Sequence, residues 1–198
     1  MLRLDLWNYF LAIESDLAAC QRFVAFEQSN LSTHSLEFAK VILLAGSETD
    51  SVLKELTGEL CAGSKASKLP AYETVIADRL PFFKLLEIDV KGTELRLHPW
   101  VEWSAASGPT WWSHSYNKLK HQRSASFKTA TLDNALNAVA GLYVALLHLH
   151  HRKLPLHTRR LMVSGTSLMA PRNHPDDTMF DYAFAGSPFD AFEPGSDA

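Results

Sequence analysis

Three long stretches of this chain carry apolar residues at alternating spacings of three and four, and that period commits them to amphipathic helices packed on one another. In the first, over about residues 5–28, Leu6, Phe10, Ile13, Leu17, Cys20 and Val24 fall on one stripe, while Glu14, Asp16 and Arg22 lie off it on what reads as a solvated face. The second follows turn and capping residues at 29–33. It sets Phe38, Ile42, Ala45, Thr49, Val52, Leu56 and Leu60 at helical spacing and ends at Gly63. Its run 41–45 is apolar nearly all round, which implies a central place in a bundle. The third, from Thr131 or Asp133 through Leu149, aligns Leu132, Leu136, Val139, Tyr143, Leu146 and Leu147. Ala135, Ala138, Ala140, Gly141 and Ala145 allow close helix approach there, at the bundle centre or in a dimer seam.

Shorter elements fill the interval. Pro70 suits the first turn of a helix running to about Leu80, and Pro81 breaks it. Residues 88–97 alternate apolar and polar about Lys91-Gly92, the pattern of a small hairpin that must pack on the helices to be stable. The predicted fold is therefore all-α: a bundle of four or five helices with a β-hairpin insertion near 87–97, occupying residues 1–160. Residues 161–198, rich in proline, acidic and aromatic residues, read as an extended or disordered tail.

Charge and cysteine usage narrow the function classes. A formal net charge of −3 argues against coating nucleic acid by bulk charge and leaves room for a local basic patch. Cys20 and Cys61 both lie in apolar periodic stretches, as unpaired buried thiols do, which fits a reducing, cytoplasmic setting. The N-terminus lacks the features of a secretory signal. The most apolar span, 135–149, is shorter than the roughly 20 residues needed to cross a bilayer and contains Asn137 and His148, so no membrane is expected. Of His148, His150 and His151, only the first and last share a helix face, and no further ligand stands at a recognised spacing. With Arg152 and Lys153 they read as a solvated basic helix end that complements the macrodipole, and neither metal nor cofactor is expected.

Candidate chemistry concentrates in residues 109–123, Pro-Thr-Trp-Trp-Ser-His-Ser-Tyr-Asn-Lys-Leu-Lys-His-Gln-Arg. A helix from about Thr110 to Gln122 would project Ser113, Asn117 and His121 from one face, with Lys120 at its margin. Trp112, Tyr116 and Leu119 would point the other way, and Arg123 joins the polar group only if the helix ends or unwinds near Gln122. Glu48, on the largely apolar second helix, is the carboxylate expected to face His121 or Lys120, because a buried carboxylate needs a partner. Asp50 and Lys54 are spaced for an i, i+4 ion pair. Trp100, Trp103, Trp111 and Trp112 crowd about Gly108-Pro109, either cementing a loop to the core or forming a platform for stacked bases.

Tyr116-Asn117-Lys118-Leu119-Lys120-His121 resembles the signature of the HEPN superfamily, all-α domains in which an arginine, usually followed by a polar residue, precedes a histidine by five positions. Asn117 and His121 match, and Tyr116 stands at the arginine position. The longer run from Pro99-Trp100-Val101-Glu102-Trp103 through Lys120-His121 is similar to bacterial proteins of the HEPN-like kind. The resemblance implies an RNA-related domain, a metal-independent ribonuclease of a bacterial defence or toxin–antitoxin system. A ribose 2′-hydroxyl would attack the adjacent phosphate while His121 transfers a proton, as an imidazole can near neutral pH. Asn117 would orient the phosphate or His121, and Lys120 with Arg123 would offset charge on the phosphate oxygens. It also implies a site assembled between two protomers, hence a homodimer, with RNA and an antitoxin or other protein as partners. The alternative is a catalytically inactive interaction or RNA-binding module, in which Asn117, Lys120 and His121 form a structural polar network with Glu48. A third reading is a small-molecule or nucleotide pocket walled by the tryptophans.

Overall fold

The first periodic stretch forms helix α1 (Leu4–Ala19), which buries Leu6, Phe10, Ile13 and Leu17. It closes earlier than its stripe implies, because the amides of Phe23 and Val24 both turn back to the Cys20 carbonyl in a 3-10 turn. Helix α2 (Leu36–Leu60) begins where Ser35 Oγ accepts the Phe38 amide at 3.1 Å, the usual satisfaction of an orphan N–H at a helix start. The computed structural model describes residues 4–153 and 165–172.

Helix α5 (Leu132–Lys153) is the axis of the bundle. Through His150 its side chains are buried, apart from the half-buried Asp133, Asn134 and Asn137 near its start, and it packs chiefly along α2, with α1 across both. The central place thus falls to α5 more than to α2, whose Leu43 and Leu44 stay half-buried. By length and composition the segment Leu132–His150 passes for a membrane span, and 89% of its apolar window is buried inside the protein.

Helix α3 (Leu69–Arg79) starts on Pro70, stops before Pro81 and leans on α2. Strands β1 (Glu87–Val90) and β2 (Arg96–Leu97) form the hairpin, pairing Ile88 with Leu97 and Asp89 with Arg96, and Gly92 takes the positive φ of +75° that the turn requires. A third strand, β3 (Met169–Arg172), pairs antiparallel with β1 from Glu87–Arg172 to Val90–Met169, giving the order β2-β1-β3. Residues 165–172 therefore belong to the fold, a departure from the extended tail predicted over 161–198. The rest of that predicted tail lies outside the described residues, as do the side chains of His151, Arg152 and Lys153.

Glu14 explains why the chain returns. Its side chain is only 1% exposed, contrary to the solvated face that its off-stripe position implies. Oε2 accepts from Ser167 N at 2.9 Å and Ser167 Oγ at 3.1 Å, and Oε1 accepts from Leu168 N at 3.0 Å and Met169 N at 2.8 Å. A carboxylate survives burial when its lone pairs are filled in this way.

Two other solvation expectations fail. His148 and His150 are buried, not a solvated basic end, because α5 runs past them under α1 and the segment bearing Phe83. His148 Nδ1 lies 2.8 Å from the Val144 carbonyl, and burial pushes its imidazole down to about 4. Cys20 is buried, but Cys61 is exposed where α2 ends. The four tryptophans cement the loop: Trp100, Trp103, Trp111 and Trp112 are all at most 5% exposed, and the indoles of Trp100 and Trp111 donate to the carbonyls of Gly141 and Pro99. Buried ring faces leave no platform for bases.

Candidate functional site

Residues 109–123 are not one regular helix. Glu102 Oε2 accepts both Thr110 N (3.0 Å) and Thr110 Oγ1 (2.7 Å), which fixes the start and holds the Glu102 carboxyl below the ordinary range. Trp111–Tyr116 then forms a π-helical turn, closed by a hydrogen bond from the Asn117 amide to the Trp112 carbonyl, and helix α4 (Asn117–Ser126) follows. Within that wide turn Trp111, Trp112, Ser115 and Tyr116 are all buried. Trp111 fits because α5 carries Gly141 beneath it: a Cβ there would come within 2.6 Å of the indole. Ser115 Oγ donates to the Thr129 carbonyl at 2.8 Å and ties the turn to the chain leaving α4.

The extra residue of the π turn changes the phase of everything after it. Trp112, expected to point away from the polar group, lines the same cleft as Asn117, Lys120 and His121; Tyr116, also expected to point away, lines it as the i, i+4 neighbour of Lys120. Ser113 drops out of that group and sits half-buried over Gly108. The cleft holds about 470 Å³; its far wall is residues 67–70, where α3 begins, and Asp50 of α2 lies at its side.

Asp50 is the carboxylate at this site, and Glu48 is not: it is half-buried on α2 but outside the cleft lining. Two residues turn a helix by about 200°, so only one of the pair can face α4. Asp50 looks toward the buried Tyr72 instead of pairing with Lys54; burial first and the Asp50 charge second push the Tyr72 phenol up to about 12, so it remains protonated. Gly46, one helical turn before Asp50 on the same face, lies under the Tyr116 ring.

Lys120 Nζ donates to Tyr116 Oη at 3.4 Å and stands 5.4 Å from the ring centroid, so the tyrosine orients a cation without supplying one. Gln122 departs from helical geometry (φ −143°, ψ 49°), which is the unwinding that Arg123 needs. Arg123 nevertheless remains exposed and outside the cleft, so it does not join Asn117, Lys120 and His121. Lys68, absent from the sequence reading, does line the cleft, beside the partly positive start of α3.

The arrangement combines an imidazole, two lysines, a carboxamide and one carboxylate in a surface cleft with an aromatic wall. Those groups can exchange a proton, offset negative charge and orient an acceptor-rich ligand. Among the described residues no group of three or more His, Cys, Asp or Glu side chains is placed to hold a metal ion. No family model, curated protein or solved structure matches the chain.

Proposed function

We propose that this protein is a HEPN-like, RNA-related domain that acts in the cytoplasm and cleaves RNA without a metal, using the cleft between α4 and the start of α3. The supporting observation is that Asn117, Lys120 and His121 line one cleft with Lys68. In the reaction the ribose 2′-oxygen forms a bond to the adjacent phosphorus and the bond from phosphorus to the 5′-oxygen breaks. One proton leaves the 2′-hydroxyl and another reaches the departing 5′-oxygen. His121 is the group for one of these transfers, and a homodimer pairing two α4 helices would supply a second imidazole for the other. Lys120 and Lys68 offset the charge that grows on the phosphate oxygens, and Asn117 orients the phosphate. The biological setting proposed is bacterial defence or a toxin–antitoxin pair, with an antitoxin protein as partner.

One observation favours a second reading. The side chain at the family's arginine position, Tyr116, is buried and engaged with Lys120, which suits a catalytically inactive module that binds RNA or protein. Cleavage of a labelled RNA pool in EDTA separates the two, run with wild type, Asn117→Ala and Lys68→Ala. The ribonuclease reading expects cleavage by the wild type and a loss of about 10²-fold or more in the variants. RNA that is bound but left intact by all three would select the inactive module.

A further inference from the structure

Trp111 faces a second cleft, of about 430 Å³, formed where the hairpin, the start of α5 and the loop before the π turn meet. Its volume lies within the usual range for small-molecule sites. Its walls are of two kinds. Leu95, Leu97 and Pro99 are buried apolar surface, and Val101, 55% exposed, stands at the rim. The other wall carries Glu102, Asp133, Asn134 and Asn137.

That polar wall is built of acceptors. Asn134 Nδ2 donates to the Thr129 carbonyl at 2.9 Å, and Asn137 Nδ2 donates to both the carbonyl and Oδ1 of Asp133 at 3.0 and 2.9 Å. These bonds engage both N–H groups of the Asn137 amide and one of the Asn134 amide, and leave the two amide oxygens for a ligand. The hydrogen-bond partners of the two carboxylates are neutral: Thr110 for Glu102 and Asn137 for Asp133. The cleft also holds Arg96 and His98, but acids outside the cleft face both. Arg96 Nε lies 3.3 Å from Asp89 and 3.6 Å from Glu87, and His98 Nδ1 lies 3.7 Å from Glu87. Exposed His114 acts on Glu102 through its field.

We infer that this cleft binds a small organic cation, an ammonium or guanidinium group carried on an apolar body. The charged head lies between Glu102 and Asp133, and the body rests on Leu95, Leu97 and Val101. Burial, with the negative field of Glu102 added, holds the Asp133 carboxyl above the ordinary range, against the bond it accepts from Asn137. A cation placed between the two carboxylates offsets that field and favours the charged form of both.

Phenethylammonium and benzylguanidinium are the probes, with phenethyl alcohol and phenylacetate as neutral and anionic counterparts. Each is titrated into the full chain and followed by protein-detected NMR. Saturable binding of either cation, weaker or absent for the counterparts and weakened about tenfold or more in Asp133→Asn and Glu102→Gln, is the expected result. Val101→Trp, a change at an exposed rim position, blocks the mouth without touching the core and should abolish the same shifts even where a carboxylate variant fails to fold. The inference is overturned if neither cation saturates, if phenethyl alcohol binds as tightly as the cations, or if Val101→Trp leaves binding intact.

Discussion

The ring of Tyr116 lies over Gly46 of α2, where a Cβ would come within 2.8 Å of Tyr116 Cε2. This one contact joins the cleft to the core: the same tyrosine carries Lys120 on its hydroxyl and face, and the same face of α2 carries Asp50 one turn later. The missing side chain in α2 is thus what allows the π turn to seat an aromatic residue at this position.

Gly46→Ala should therefore reverse the usual sign. Alanine in a helix interior normally stabilises by about 0.5–1 kcal/mol relative to glycine. Here overpacking against the Tyr116 ring should dominate and destabilise by about 1–3 kcal/mol, read from the midpoint of urea unfolding. A higher midpoint would show that the ring does not depend on this contact.

Glu14→Gln replaces an acceptor-only group with one that turns an NH₂ toward backbone N–H donors of residues 167–169. The loss should be about 3 kcal/mol, in the range of hydrogen bonds made by a charged acceptor. Hydrogen exchange localises it: the amides of Ser167, Leu168 and Met169 should exchange faster by more than the global loss accounts for, and uniform acceleration across α5 would argue against a local anchor.

Acid should weaken the fold through His148. Its pKa is depressed to about 4 from an ordinary 6.5, so the unfolded chain takes up the proton first. The contribution is complete above pH 6.5 and is lost as pH falls toward 4; from that difference it amounts to roughly 3 kcal/mol. In His148→Gln the slope of stability against pH should flatten across this window, and an unchanged slope would assign it to other groups.

The helices were legible because burial of one face writes itself into spacing, as Leu6 to Leu17 and Leu132 to Leu147 do. Glu14 was not, since a carboxylate off the stripe looks solvated until a strand some 150 residues away is known to return to it. Asn117, Lys120 and His121 were found as a group because each lies after the π turn and keeps its mutual spacing. Trp112 and Ser113 depart from the expected faces because they lie within the π turn, and ideal α-geometry has no room for its extra residue. Lys68 joins the cleft across a tertiary contact for which no local pattern exists.

The most direct measurement of the central claim compares wild type and His121→Ala on a mixed, labelled RNA pool in EDTA. His121 is exposed, so its replacement should leave stability within about 0.5 kcal/mol and both proteins can be compared folded. The account predicts cleavage by the wild type, with products carrying the 2′,3′-cyclic phosphate that attack by the 2′-oxygen leaves, and loss of that cleavage in His121→Ala. Equal cleavage by both proteins, or none by a folded, dimeric wild type, would contradict it.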